Sequence, residues 1–232
     1  MTIKDSIDRI RRELDNQLKE LNREPDSVLL VAVTKTHGVD VVEAALKAGI
    51  TDFGENKVQE AMRKVPMLSV PYRGFHFIGH LQTNKINQLL SLKPKLIHSV
   101  DSLHLEENLH LALGRTNRTQ DILIQINSSQ EDSKGGFGFD EAEEIVRHVS
   151  SYNTLRVKGL MTIGQLGEPE LSRPLFARMR ELFLELKGLP GVEMNHLSMG
   201  MSHDYLIAVQ EGANLVRIGS AIFGDRNYGG GV

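Results

Sequence analysis

The chain has 232 residues, with 27 Lys plus Arg against 30 Asp plus Glu and a net charge of −3, a balance that offers neither a basic field for wrapping nucleic acid nor an acidic tail. Apolar residues at 40% and charged residues at 25% describe a globular chain able to bury a core, which excludes disordered, collagen-like and fibrous classes. There is no Cys, hence no disulfide, no thiolate nucleophile and no Cys-ligated zinc.

The opening MTIKDSIDRIRREL is charged every few residues and lacks the apolar stretch of a signal peptide. The longest apolar run, Val28–Val33, is far short of a membrane span. A soluble, cytoplasmic protein is expected, for which the sequons at Asn117 and Asn127 carry no meaning. Ile3, Ile7, Ile10, Leu14, Leu18 and Leu21 recur every three or four residues and predict an amphipathic first helix ending near Asn22, with Pro25 blocking continuation.

Beyond it the pattern repeats. Strands are predicted at Val28–Thr34, Thr51–Gly54, Gly74–Ile78, Lys95–Val100, Ile122–Asn127, Val157–Ile163, Glu193–Ser198 and Asn214–Ile218. Helices are predicted between them near Val39–Ala48, Lys57–Val65, Asn84–Leu90, Leu103–Leu113, Asp140–Val149, Leu171–Lys187 and Asp204–Glu211. Parallel strands need such crossovers, and runs such as VLLVAV and NLVRIG are apolar without alternation, as in strands covered on both faces. Eight units after an extra N-terminal helix make a single (β/α)8 TIM barrel the expected α/β fold over residues 1–232. A doubly wound open sheet is the rival, but the first strand ends in TKTHG without a glycine fingerprint. SKGGFG (133–138) reads as a loop within a unit and the tail YGGGV as frayed.

Chemistry in such a barrel gathers at the C-terminal ends of the strands. Lys35, directly after VLLVAV, is either a desolvated amine able to bond a carbonyl or a strand-end lysine reaching solvent. Asn56 either caps the next helix or points at a ligand. His76 and His80 are four apart, but on a strand and loop rather than a helix, so a metal pair is not expected and His76 reads as structural. His80 and Lys85 reach either the mouth or solvent. HLSMGMS (196–202) and VRIGSAIFG (216–224) follow the last two strands, where barrels commonly hold phosphate with backbone N–H groups and hydroxyls; the other reading is two ordinary turns. Arg217, inside an apolar strand, must meet an anion, an acceptor or a ligand atom, unless it forms a core ion pair. Met194, Met199 and Met201 either pack under a ligand or fill gaps. An imine-forming lysine, a phosphate cup and a buried arginine together suggest a phosphorylated aldehyde, of which pyridoxal 5′-phosphate (PLP) is the common one.

VAVTKT, FGENKVQE, FHFIGHLQTNK, HSVDS, INSSQEDSKGGF, GLMTIG, LSMGMSHD and VRIGSAIFG run in order through nearly the whole chain. They closely resemble the pyridoxal phosphate homeostasis proteins, a family similar in fold to the N-terminal barrel of alanine racemase. The resemblance implies that Lys35 carries PLP as an internal aldimine, that Ser198, Gly200, Gly219 and Ser220 hold the phosphate, that Arg217 faces the pyridine nitrogen, and that Asn56 lines the site. Lys57, Phe75 and Ser220 depart from the family's frequent residues, and Lys57 is the departure able to alter the rim.

A cation at the pyridine nitrogen disfavours its protonation and weakens the ring as an electron sink. Racemisation also needs a second acid/base group, which in alanine racemase is a tyrosine from another domain and subunit; the chain ends at 232, and Tyr72, Tyr152, Tyr205 and Tyr228 lie in loops or helix starts without a motif. The expectation is a monomeric, non-catalytic PLP carrier that buffers the cofactor and passes it to apo-enzymes, with no metal and no membrane or nucleic-acid partner. The alternatives are a PLP-dependent racemase or decarboxylase, and an aldolase acting on a sugar phosphate through the same lysine.

Overall fold

The computed structural model describes residues 2–127, 135–165, 167–189 and 192–224. The tail YGGGV, and with it Tyr228, lies outside the described residues, as does part of the SKGGFG loop.

The first helix, α1 (Ile3–Glu20), opens on a reciprocal cap: Thr2 Oγ1 accepts from Asp5 N at 3.2 Å, and Asp5 Oδ2 accepts from Thr2 N at 2.8 Å. Ile7, Ile10, Leu14 and Leu18 are buried, each contributing about 1.5–3 kcal/mol by removal from water. Asn22 turns into the left-handed region (φ 53°), so the chain leaves the helix before Pro25 is reached.

Eight parallel strands follow, closed into a barrel in sequence order. They are β1 (Leu29–Val33), β2 (Asp52–Glu55), β3 (Gly74–Phe77), β4 (Leu96–Val100), β5 (Gln120–Gln125), β6 (Leu155–Met161), β7 (His196–Ser198) and β8 (Leu215–Ile218). The barrel closes where β1 meets β8, with Val31 opposite Arg217. The helices between them are α2 (Val39–Lys47), α3 (Val58–Lys64), α4 (Ile86–Ser91), α5 (Leu103–Gly114), α6 (Ala142–Ser150), α7 (Arg173–Leu186), α8 (Tyr205–Gln210) and, after β8, α9 (Ser220–Phe223). The expected (β/α)8 barrel with an extra first helix is therefore the architecture observed.

Side chains alternate across each strand, so each contributes one set to the helix-covered shell and one to the barrel interior. The outer set, including Phe53, Phe75, Ile97, Ile122 and Val216, packs against the helices. Val31, Leu96, Leu123, Met161 and Leu215 form a separate apolar cluster. Between them run His76, His98, Ser198 and Arg217, all buried. The strand bounds differ from the sequence expectations by at most three residues, and those at Gly74, Val100, Ser198 and Ile218 coincide. Strand β7 is the shortest, because the segment from Glu193 forms only one further bond toward β6, Asn195 N to Lys158 O.

Candidate functional site

A cavity of about 590 Å3 opens at the C-terminal mouth of the barrel, within the usual range for small-molecule sites. Lys35, Asn56, Arg217, Gly219 and Ser220 all line it, joined by Ser202. A larger cavity of about 790 Å3 lies at the opposite mouth among strand-start residues such as Thr51, Arg73 and Lys95. The smaller one is the candidate, because it collects an amine, a buried guanidinium and paired loop hydroxyls at the end where barrel chemistry sits.

Lys35 emerges two residues past β1, half-buried, after Thr34 has extended the ladder with its N–H on Gly54 O at 3.0 Å. Asn56 stands just past β2. Its Oδ1 is buried without a hydrogen-bond partner, a state costly enough to point to an absent donor. Gly79 makes this loop possible: a Cβ there would lie 2.1 Å from the Asn56 carbonyl oxygen.

Arg217 is buried, with only a small part of its surface reaching the cavity. Nη1 donates to Ser198 Oγ at 2.6 Å and Nη2 to the Thr162 carbonyl at 2.8 Å, both neutral acceptors. Burial lowers its pKa to about 10, with Asp204 pulling weakly the other way. The core ion pair with a carboxylate is thus not what holds it. The guanidinium keeps its charge at the cavity wall, where an acceptor on a ligand would offset its lost hydration.

Behind Arg217 a directed chain of hydrogen bonds crosses the barrel. Burial pushes the Asp52 carboxyl up, but bonds from His76 and Thr51 outweigh this and hold it well below the usual carboxylate range. His76 Nε2 therefore donates to Asp52 Oδ1 (3.1 Å), leaving Nδ1 to accept from His98 Nε2 (2.9 Å). Burial keeps both imidazoles neutral. His98 Nδ1 then accepts from Ser198 Oγ at 3.0 Å, and Ser198 turns its lone pairs to Arg217. The structural reading of His76 fits this role.

Ser198 and Gly200 do not line the cavity. Ser198 is the last residue of β7, and strand alternation points its hydroxyl into the barrel, where His98 and Arg217 occupy it. Gly200 acts through its backbone: φ is 92°, a Cβ would meet Ala208 Cβ at 2.6 Å, and its carbonyl accepts from Arg217 N at 3.0 Å. The hydroxyl that reaches the mouth is Ser202, four residues after Ser198. Ser202 Oγ accepts from Gly219 N (3.1 Å) and Ala221 N (3.2 Å), tying the last two loops together. Sequence reasoning missed Ser202, although LSMGMS contains both serines. The missing information was the strand end, which separates an inward side chain from a loop side chain. Asp204, buried, braces this loop by accepting from Met201 N at 2.7 Å. Met201 lines the cavity, whereas Met194 and Met199 fill the outer core.

Other candidates lie elsewhere. His80 pairs with Asp101 at 2.8 Å and is largely exposed. Lys57 is exposed at the start of α3, and Phe75 packs on Phe53 in the core. Tyr72 packs edge-on against Phe53, Tyr152 stacks on His110, and the Tyr205 hydroxyl donates to Glu13; none of these three lines the cavity. Among the described residues no group of three His, Asp or Glu side chains could hold a metal ion, and no helix is long and apolar enough to cross a membrane.

The family model for the alanine racemase N-terminal domain matches residues 6–227. A pyridoxal phosphate homeostasis protein of Aquifex aeolicus is 37% identical over 223 residues, covering 96% of this chain and 97% of the relative. The solved structure of PipY from Synechococcus elongatus with PLP bound is 34% identical, with a TM-score of 0.79 over 90% of this chain and 99% of that one. The alanine racemase of Corynebacterium glutamicum, 17% identical with a TM-score of 0.73 over 98% of this chain and 63% of that one, shares the fold. With barrel, mouth and near full-length identity in agreement, the chain belongs to the pyridoxal phosphate homeostasis protein family, built on the alanine racemase N-terminal domain.

Proposed function

We propose that this chain is a single PLP-binding unit that buffers the cofactor in the cytoplasm and hands it to apo-enzymes, without turnover of its own. The observation that carries the reading is the convergence of Lys35, Arg217 and the Ser202–Gly219 loop pair on one cavity. When bound, PLP supplies an aldehyde that an amine attacks reversibly, with loss of water. Lys35 is the amine. The hydroxyls of Ser202 and Ser220 are the donors for the phosphate, from the loops after β7 and β8, which the Gly219 and Ala221 amides tie together through Ser202 Oγ. Arg217 meets the ring nitrogen, and Asn56 Oδ1 accepts from the ligand. Ser198 and Gly200 support Arg217 and the loop from behind. The residues fit the group on two structural grounds: an orphaned buried oxygen on Asn56, and a buried cation at Arg217 paired only with neutral acceptors.

Besides Lys35, the cavity wall carries His37 and His203, so the choice between holding and racemisation rests on the turnover assay. The solution form is proposed to be a monomer. The test is to add PLP, reduce with borohydride and map the modified peptide, while assaying a panel of amino acids for racemisation and decarboxylation. Label confined to Lys35 with no sustained turnover supports the proposal. Label elsewhere, or turnover abolished by Lys35→Ala, contradicts it.

A further inference from the structure

Beneath Lys35 lies a buried polar cluster that the cavity does not use. Glu60 and Lys64 are four apart on α3 and share the face turned toward the end of β1. Lys64 is almost fully buried, and its three ammonium protons match three acceptors: the Thr34 carbonyl at 2.8 Å, Glu55 Oε1 at 2.9 Å and Glu60 Oε2 at 3.3 Å. Glu60 Oε2 also accepts from Thr36 N at 2.8 Å. Thr34 Oγ1 adds a bond to Glu55 Oε1 at 2.6 Å.

The consequence is local and covalent in origin. The Thr34 carbonyl belongs to the peptide group before Lys35, and the Thr36 N–H belongs to the peptide group after it. One ion pair thus grips both planes that flank Lys35, and those planes set its φ and ψ. Thr36 sits at φ 68°, a left-handed conformation that is an outlier for a β-branched residue and persists only where the surroundings hold it. Two contacts hold it there, the bond from Thr36 N to Glu60 Oε2 and the turn bond from His37 N to the Thr34 carbonyl at 3.2 Å.

We infer that Glu60 and Lys64 are positioning residues for Lys35, fixing the backbone on either side so that its side chain enters the cavity at one angle. The inference rests on the PLP reading above but concerns residues outside the cavity wall. It assigns a purpose to a buried ammonium, which is costly unless paired. Burial raises the Glu55 carboxyl and opposes the ionised form, whereas the Thr36 amide and Lys64 keep Glu60 below its ordinary value despite burial. Lys64 stands between the two carboxyls, 2.9 Å from Glu55 Oε1 and 3.3 Å from Glu60 Oε2.

The test compares PLP with pyridoxine 5′-phosphate, which has the same ring and phosphate but an alcohol in place of the aldehyde. Only PLP can bond Lys35. Glu60→Ala is expected to weaken PLP binding about tenfold, the worth of one charged hydrogen bond, and to leave pyridoxine 5′-phosphate binding unchanged. Glu60→Gln keeps an acceptor for Thr36 N–H and is expected to restore most of the PLP affinity. Amide hydrogen exchange at Thr36 in the cofactor-free protein is expected to accelerate in Glu60→Ala. Equal losses for both ligands, or wild-type PLP affinity in Glu60→Ala, overturn the inference. If the wild-type protein binds neither ligand, the PLP reading itself fails. The clamp is then judged on exchange alone, and unchanged protection at Thr36 in Glu60→Ala overturns it.

Discussion

Ser198 Oγ stands between Arg217 Nη1, 2.6 Å on one side, and His98 Nδ1, 3.0 Å on the other. One hydroxyl accepts from a buried cation and donates to a neutral imidazole, so its single proton has one place to go. Arg217 is thereby oriented by the barrel interior before any ligand arrives. Asp52 anchors the far end, where Arg73 and Lys95 also pair with it.

Ser198→Ala leaves Arg217 Nη1 and His98 Nδ1 without their shared partner in a fully buried setting. The expected loss is about 1–3 kcal/mol of folding stability. Urea unfolding measures it, and a change below about 0.5 kcal/mol, the range of a surface substitution, contradicts the chain as drawn.

Ser202→Ala acts at the mouth instead. It removes the acceptor shared by Gly219 N and Ala221 N, and with it the hydroxyl proposed to donate to the phosphate. PLP affinity is expected to fall about tenfold while the visible absorbance of bound PLP keeps its position, because Lys35 is untouched. A titration followed by absorbance checks both, and unchanged affinity contradicts the phosphate role.

Gly200→Ala forces a side chain onto a left-handed backbone and into Ala208 Cβ. The strain is expected to cost about 1–3 kcal/mol and to lower the thermal midpoint. Wild-type stability would show that the turn relaxes freely, and that Gly200 does not pack α8 against the loop.

Glu106 carries a pH dependence far from the mouth. Its side chain is fully buried on α5, neither oxygen has a hydrogen-bond partner, and burial with Glu107 nearby raises its pKa to about 7. His148 Nε2 lies 3.2 Å from Oε1 and Tyr152 packs against His148. A carboxyl that holds its proton more tightly when folded stabilises the fold below its unfolded value, near 4.5, and loses that contribution as pH rises through about 7. Stability is therefore expected to decline between pH 4.5 and 7, and Glu106→Gln to flatten that decline. A variant whose unfolding midpoint follows pH as the wild type does would contradict the assignment.

The barrel was legible because its strands are local apolar runs and its crossovers have helical period. Lys35 stood out for the same reason, as a charge directly after VLLVAV. The polar interior was not legible: His76 and His98 meet only through the pairing of β3 with β4, which places His76 opposite Leu96. Lys64 and Glu60 look in sequence like a solvated i, i+4 pair, and only the packing of α3 against β2 brings them under the Thr34–Thr36 turn. Ser198 and Ser202 were indistinguishable until the end of β7 was known, since one residue of strand decides which way a hydroxyl points.

The central claim is that Lys35, seated at the barrel mouth, bonds the aldehyde of PLP. The direct measurement is the absorbance spectrum of wild-type and Lys35→Ala proteins after adding PLP and removing excess. The account predicts a yellow wild-type protein, with the visible band lost in Lys35→Ala and circular dichroism unchanged. A wild type that stays colourless, or a folded Lys35→Ala that keeps the same band, contradicts it.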